Sequence, residues 1–197
     1  MKSLILASGS QSRREILNST GFPFIVDPSD YEEDMSLELA PADLAIFLSK
    51  GKARDVAKRH SNAVILGADS FGVFNNELLG KPHTIARAKE MLTMLSGHSH
   101  IFVTGFTLID TDSDKEYSES VETKVFIKKL SARAIDSYLA KDDVLDKAGA
   151  YTIQGEGIKL ITKLDGDFNN VMGLPLSRVL IALTEFGIDI HPTKKAP

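Results

Sequence analysis

The chain of 197 residues contains no cysteine, so disulfides and thiolate metal sites are excluded. It lacks any run approaching the ~18 apolar residues of a membrane-spanning helix. The apolar stretch behind Lys2 is far too short for the core of a secretory signal. A soluble cytoplasmic protein without a membrane partner is expected. Neither sign of charge dominates: 23 basic side chains face 27 acidic ones, for a net charge of -4. That balance argues against a nucleic-acid partner, yet it leaves room for a small anionic substrate in a local basic pocket. Two nucleotide signatures are also missing. There is no Gly-x-x-x-x-Gly-Lys-[Ser/Thr] loop, and no Gly-x-Gly-x-x-Gly follows a strand, against a P-loop kinase and a dinucleotide oxidoreductase. Ser8-Gly9-Ser10 does not match the Gly-x-Ser-x-Gly nucleophile elbow. No internal repeat, low-complexity tract or linker interrupts the chain.

What is present is organised around residues 1–17. Leu4-Ile5-Leu6-Ala7 has the size of one buried strand. Ser8-Gly9-Ser10 follows as a small polar loop, and Arg13-Arg14 open a helical pattern. Free N–H groups at a helix start, with the helix dipole, favour an anion. Guanidinium forks grip phosphate oxygens two at a time. The stretch reads as a phosphate clamp; the plainer alternative is a strand-to-helix turn with two solvated arginines.

Further along, Phe22–Val26 reads as a second strand and residues 27–34 as an acidic loop. A helix begins near Pro41 and contains Gly51, which costs ~1 kcal/mol relative to alanine and marks a close-approach site between Lys50 and Lys52. Ala63–Ala68 suits a central strand buried on both faces and ending at Asp69-Ser70. Phe71–Phe74 and Glu77–Leu79 flank a hairpin turn at Asn75-Asn76. Thr84 and Ser131 are helix N-caps. Residues 98–110 and 115–128 form a long hairpin. Tyr151–Gln154 and Ile158–Leu164 read as strands, Asn169-Asn170 as loop, Pro175–Phe186 as the last helix, and 191–197 as a disordered tail after a single domain spanning 1–190.

Charged residues collect beside strand ends, where ligands of α/β sheets bind. Asp69 suits a general base or a metal ligand; capping of local N–H groups is its alternative. Lys52 and Lys81 suit phosphate neutralisation, Lys81 being held between Gly80 and Pro82. One carboxylate among Glu32, Glu33 and Asp34 suits Mg²⁺. The Gln154 amide can read a base edge, because it both donates and accepts. His98 and His100 alternate on one face, but no third ligand accompanies them.

Together these segments resemble the Maf family of nucleoside triphosphate pyrophosphatases, also called septum formation proteins. The matching pieces are 6–10 with Arg13-Arg14, Lys52-Ala53, 67–70, 80–82, Thr104-Gly105, 146–151, 153–155 and 170–175. The resemblance implies a mixed α/β fold of the Maf/ITPase-like type: a long curved sheet with flanking helices, two lobes around a cleft, often a homodimer. It implies hydrolysis of a nucleoside triphosphate to the monophosphate and pyrophosphate with Mg²⁺ or Mn²⁺. Asp69 matches the proton acceptor. Ser8, Arg13, Glu33, Lys52 and Lys81 match the phosphate and metal region, with Asp69 and Glu33 as the metal carboxylates. Ser10 and Arg14 complete the expected substrate-binding set.

The family usually reads Ser-x-Ser-Pro-Arg-Arg. Here Gln11 replaces the proline, and Ser12 stands where many members carry the first arginine. Positions matching Ser12, Ser70 and Gln154 are associated with base choice. Ser70 and Gln154 resemble the dTTP/UTP branch, whereas Ser12 does not. A dTTP/UTP or modified-pyrimidine pyrophosphatase with a house-cleaning role is the expectation. Its rivals are a 7-methyl-GTP pyrophosphatase and a non-catalytic nucleotide-binding regulator of cell division. A sugar-phosphate nucleotidyltransferase ranks last, because it needs a longer chain.

Overall fold

In the computed structural model, which describes residues 2–113 and 115–188, β1 (Ser3–Leu6) runs parallel to both of its neighbours. These are β2 (Phe24–Val26) and β3 (Ala63–Phe74). The sheet continues through β5 (Ser99–Asp110), β6 (Glu116–Ile127) and β7 (Ile161–Asp165). β4 (Glu77–Leu79) pairs antiparallel with the far half of β3. Among the described residues the seven strands make one mixed sheet. The expected tail and the end of the expected 1–190 domain lie outside the described residues. No described helix is long and apolar enough to cross a membrane.

The chain divides into two compact units. One draws on Met1–Ser70, Thr104–Val121 and Met172–Pro197, the other on Phe71–Val103 and Glu122–Val171. In the first unit, strand alternation sends Leu4 and Leu6 to one face of the sheet and Ile5 and Ala7 to the other. Leu4, Leu6, Val64 and Leu66 pack under α1 (Gln11–Asn18) and α6 (Leu176–Glu185), with Leu17, Val179 and Leu183 fully covered. Ile5, Ile65 and Ile109 pack under α2 (Pro41–Ala57) through Ala53 and Val56. Both faces are dry, which is why these parallel strands read as continuous apolar runs.

Two glycines let α2 sit unusually close to the sheet. A Cβ on Gly67 would meet the Ser49 carbonyl and come 2.8 Å from the Ala53 nitrogen. A Cβ on Gly105 would meet the Ala45 carbonyl and come 2.6 Å from the Ile46 nitrogen. A hydroxyl chain completes the seat: buried Ser49 Oγ lies 2.8 Å from buried Thr107 Oγ1, which lies 2.9 Å from half-buried Ser118 Oγ. Such groups are tolerated inside because each has a partner.

In the second unit, α3 (Ile85–Leu95) buries Ala88, Met91, Leu92 and Leu95, and α4 (Ala132–Leu139) buries Ile135 and Tyr138. Thr84 and Ser131 cap these helices through the amides of Arg87 and Ala134, as expected. Asn75 and Asn76 both take left-handed φ, 51° and 66°, the geometry of a tight hairpin turn.

Four expectations need correction. β2 starts at Phe24, because Pro23 lacks an amide and the Phe22 amide is taken by Thr20 Oγ1. β3 does not stop at Asp69; it runs on to pair Gly72 with Leu79, which places Asp69 inside a strand. Residues 151–160 are not strands. Positive φ at Gly149, Ala150 and Gly155 breaks extension, and Gly157–Leu160 forms a 3₁₀ turn. Asn169 and Asn170 lie in a short helix, α5 (Phe168–Val171), where both amides point to Asp167 Oδ1.

Candidate active site

In the first unit, the end of β1, the start of α1, the middle of α2 and the middle of β3 deliver the chemically capable side chains. Ser10 caps α1, its hydroxyl accepting from the Arg13 amide. That bond uses one first-turn donor, so the amides of Gln11 and Ser12 remain for a ligand. Ser8, two residues past β1, is buried and accepts from the Ser10 amide at 3.3 Å.

Arg13 is the hub. It is buried, and its guanidinium donates to three separate segments. Nη1 reaches Ser8 Oγ at 3.0 Å, Nη2 reaches Ser70 Oγ at 2.7 Å, and Nε reaches the Gly173 carbonyl at 2.8 Å. A guanidinium carries five N–H donors, so two stay available. Burial pulls Arg13 below its usual pKa, while the negative charges of Asp69 and Glu33 pull it back up. Arg14 makes none of these contacts, and its buried Nε has no hydrogen-bond partner among the described residues. Consecutive helix residues point about 100° apart, so Arg14 does not share the three contacts of Arg13.

Lys52, one-eighth exposed, stands between the same two carboxylates that act on Arg13. Its Nζ lies 2.5 Å from Asp69 Oδ1 and 2.7 Å from Glu33 Oε1. Asp69 is buried on β3, whereas Glu33 hangs from the exposed acidic loop. Of the acidic trio, only Glu33 reaches Lys52; Asp34 instead binds the Ser36 amide and hydroxyl. Ser12 is half-buried in the first turn of α1. Lys81 and Gln154 are exposed side chains of the second unit. Lys81 follows Gly80, whose carbonyl accepts from the Gly149 amide.

Two carboxylates already share one cationic position, so they fit a small divalent ion. Among the described residues no cluster of three or more His, Asp or Glu ligands gathers anywhere. The donor set therefore suits an ion that keeps waters and takes phosphate oxygens, as Mg²⁺ does, rather than one held in an all-protein cage. The histidines are no part of it. His100 is buried in the second unit with Nε2 at 2.9 Å from the Tyr151 hydroxyl, and burial lowers its pKa to about 4. His98 packs edge-on against Phe74.

Two contributors escaped the sequence reading as site residues. The Gly173 carbonyl is one; its signal was the Gly-Leu-Pro run, where φ of 104° excludes a side chain and brings the backbone to Arg13. The other is Tyr31, which lies on Gly51.

A family model described as Maf-like protein matches residues 3–186. A dTTP/UTP pyrophosphatase of Methanosarcina mazei is 44% identical over 191 residues, covering 96% of this chain and 97% of the relative. A dTTP/UTP pyrophosphatase of Bacillus cereus is 40% identical over 190 residues, covering 96% and 93%. The solved structure of a HAM1 protein from Coxiella burnetii superimposes with a TM-score of 0.50 at 18% identity, covering 94% of this chain and all of its own, a likeness of fold alone. Match and identity run nearly end to end, and the chain belongs to the Maf family.

Proposed function

We propose that the chain is a nucleoside triphosphate pyrophosphatase that acts on dTTP and UTP, releasing the monophosphate and pyrophosphate. The observation that carries this reading is Lys52 held between Asp69 and Glu33 with Arg13 close by, in a chain whose relatives bear that name. Such a cluster offers a base, two fixed cations and carboxylates to one triphosphate.

The two spare Arg13 donors and the open amides of Gln11 and Ser12 hold phosphate oxygens. Lys52 neutralises charge that builds on the departing group, and Lys81 is assigned the same task. Asp69 orients a water toward the α-phosphorus and accepts its proton as the new P–O bond forms and the bond to the β-phosphate bridging oxygen breaks. The electron pair leaves with pyrophosphate. A divalent ion, Mg²⁺ or Mn²⁺, would be held by Asp69 and Glu33 and would supply further charge neutralisation on the phosphates. Rate then comes mainly from positioning and preorganised charge. Ser70 and Gln154 are assigned to base choice.

The test is pyrophosphate release by purified protein with Mg²⁺ from dTTP, UTP, CTP and 7-methyl-GTP. Turnover highest with dTTP and UTP supports the reading. Preference for 7-methyl-GTP moves it to that branch. Tight nucleotide binding without turnover favours a regulator. Asp69→Asn should lower turnover by ~10²–10⁴-fold while the protein stays folded; near-wild-type turnover would remove Asp69 from its role.

A further inference from the structure

The loop that carries Glu33 runs along α2 and is stitched to it in two ways. At its start the stitches are polar. The Asp55 carboxylate accepts from the Ser29 hydroxyl at 2.9 Å and from the Asp30 amide at 3.0 Å. Arg59, just beyond the helix, donates to the Asp27 carboxylate and to the Pro28 carbonyl at 2.9 Å. These bonds fix residues 27–30 and stop three residues short of Glu33.

The next contact is of another kind. The Tyr31 ring lies directly on Gly51. A Cβ there would fall 2.5 Å from Cε1 and 2.6 Å from Cε2, and would overlap Cζ. The ring thus fills the volume that any other side chain at position 51 would need. Its hydroxyl makes no hydrogen bond to a described residue, so the ring itself does the seating. Glycine inside a helix is unfavourable, so its presence here calls for a compensating contact. Gly51 immediately precedes Lys52, and Tyr31 lies two residues before Glu33. The ring-on-glycine seat is therefore the last anchor before Glu33 Oε1 reaches Lys52 Nζ at 2.7 Å.

We propose that Tyr31 seated on Gly51 is a positioning contact that holds Glu33 against Lys52. The pair acts through Glu33 and touches no reacting atom. Its kinetic consequence rests on the pyrophosphatase reading; its structural consequence does not.

The test uses the full chain. Gly51→Ala should fold, because a ring tip can move aside, but the moved ring lifts the loop. Expected results are faster hydrogen exchange at the Asp30 and Tyr31 amides and a ~10–100-fold loss of kcat/KM for UTP, the usual penalty when a partner supporting a ligand carboxylate is disturbed. Tyr31→Ala should do the same, and Tyr31→Phe should restore both. In a Tyr31→Ala background, Gly51→Ala should raise Tm, since alanine favours the helix and meets no ring. In a Glu33→Ala background, Gly51→Ala should cost no further activity. The proposal is overturned if Gly51→Ala leaves exchange and kcat/KM unchanged, or if it costs as much without Glu33 as with it. Should the wild-type protein release no pyrophosphate from any nucleotide, the pyrophosphatase reading fails separately. Amide exchange then decides: acceleration in Gly51→Ala sustains the seat, and unchanged exchange overturns it.

Discussion

Arg13 and Gly173 stand 160 positions apart and are joined by one hydrogen bond, Nε to carbonyl at 2.8 Å. With the bonds to Ser8 and Ser70, that link makes one side chain the common anchor of β1, β3 and the turn before α6. Arg13 holds these three segments together.

Arg13→Lys is therefore not conservative, since an ammonium cannot reproduce a three-way fork. Hydrogen bonds to a charged group contribute about 1.5–3 kcal/mol, and at least that much stability should be lost. Urea unfolding measures the loss; a variant as stable as the wild type would show that the fork is dispensable.

Lys52 carries the charge that keeps two carboxylates at one point. Lys52→Met should lower turnover by ~10²–10³-fold, the usual result of removing one preorganised donor. Chelation with EDTA should abolish pyrophosphate release, and Mg²⁺ or Mn²⁺ should restore it. Activity that survives exhaustive chelation would exclude a metal role for Asp69 and Glu33.

Gly67→Ala drives a methyl group into the Ser49 carbonyl and Ala53 on α2. Overpacking of this kind costs about 1–3 kcal/mol. Because α2 carries Lys52, kcat should fall as well, unlike for a surface substitution of equal stability cost. Parallel measurement of Tm and kcat checks both halves.

His100 supplies a pH prediction. Its folded pKa lies at about 4 against an ordinary 6.5, because burial disfavours the imidazolium. The unfolded chain takes up that proton first as pH falls. Stability is unaffected above pH 6.5 and declines between 6.5 and about 4, by roughly 3 kcal/mol over the whole window. His100→Gln keeps a partner for the Tyr151 hydroxyl, and its stability should depend less on pH over that window. Equal slopes for both proteins would remove His100 as the cause.

Much of this architecture was legible where local chemistry decides it. Thr84 and Ser131 are caps because a short hydroxyl satisfies an amide three residues on. Asn75-Asn76 turns because asparagine tolerates left-handed φ. Leu4–Ala7 and Ala63–Ala68 are buried strands because they are apolar on both faces. The failures share a long-range cause. Asp69 lies inside a strand because β4 returns to pair with residues beyond it, which no local pattern announces. Tyr151–Gln154 has strand composition, yet Gly149, Ala150 and Gly155 bend it. Arg13 and Arg14 look equivalent in sequence; the helical turn gives one of them Ser8, Ser70 and Gly173. Gly51 was visible as an anomaly, but only the fold shows that Tyr31 fills the space.

The hydroxyl chain from Ser49 through Thr107 to Ser118 works as a register mark. Were α2 to slide one turn along the sheet, Ser49 Oγ and Thr107 Oγ1 would lose each other, and Gly67 and Gly105 would no longer face the backbone they admit. The helix bears Lys50 and Lys52 on different faces, and Lys50 pairs with Glu116 at 2.6 Å. The level at which Lys52 meets Asp69 is thus set some distance away, by hydroxyls that take no part in that ion pair.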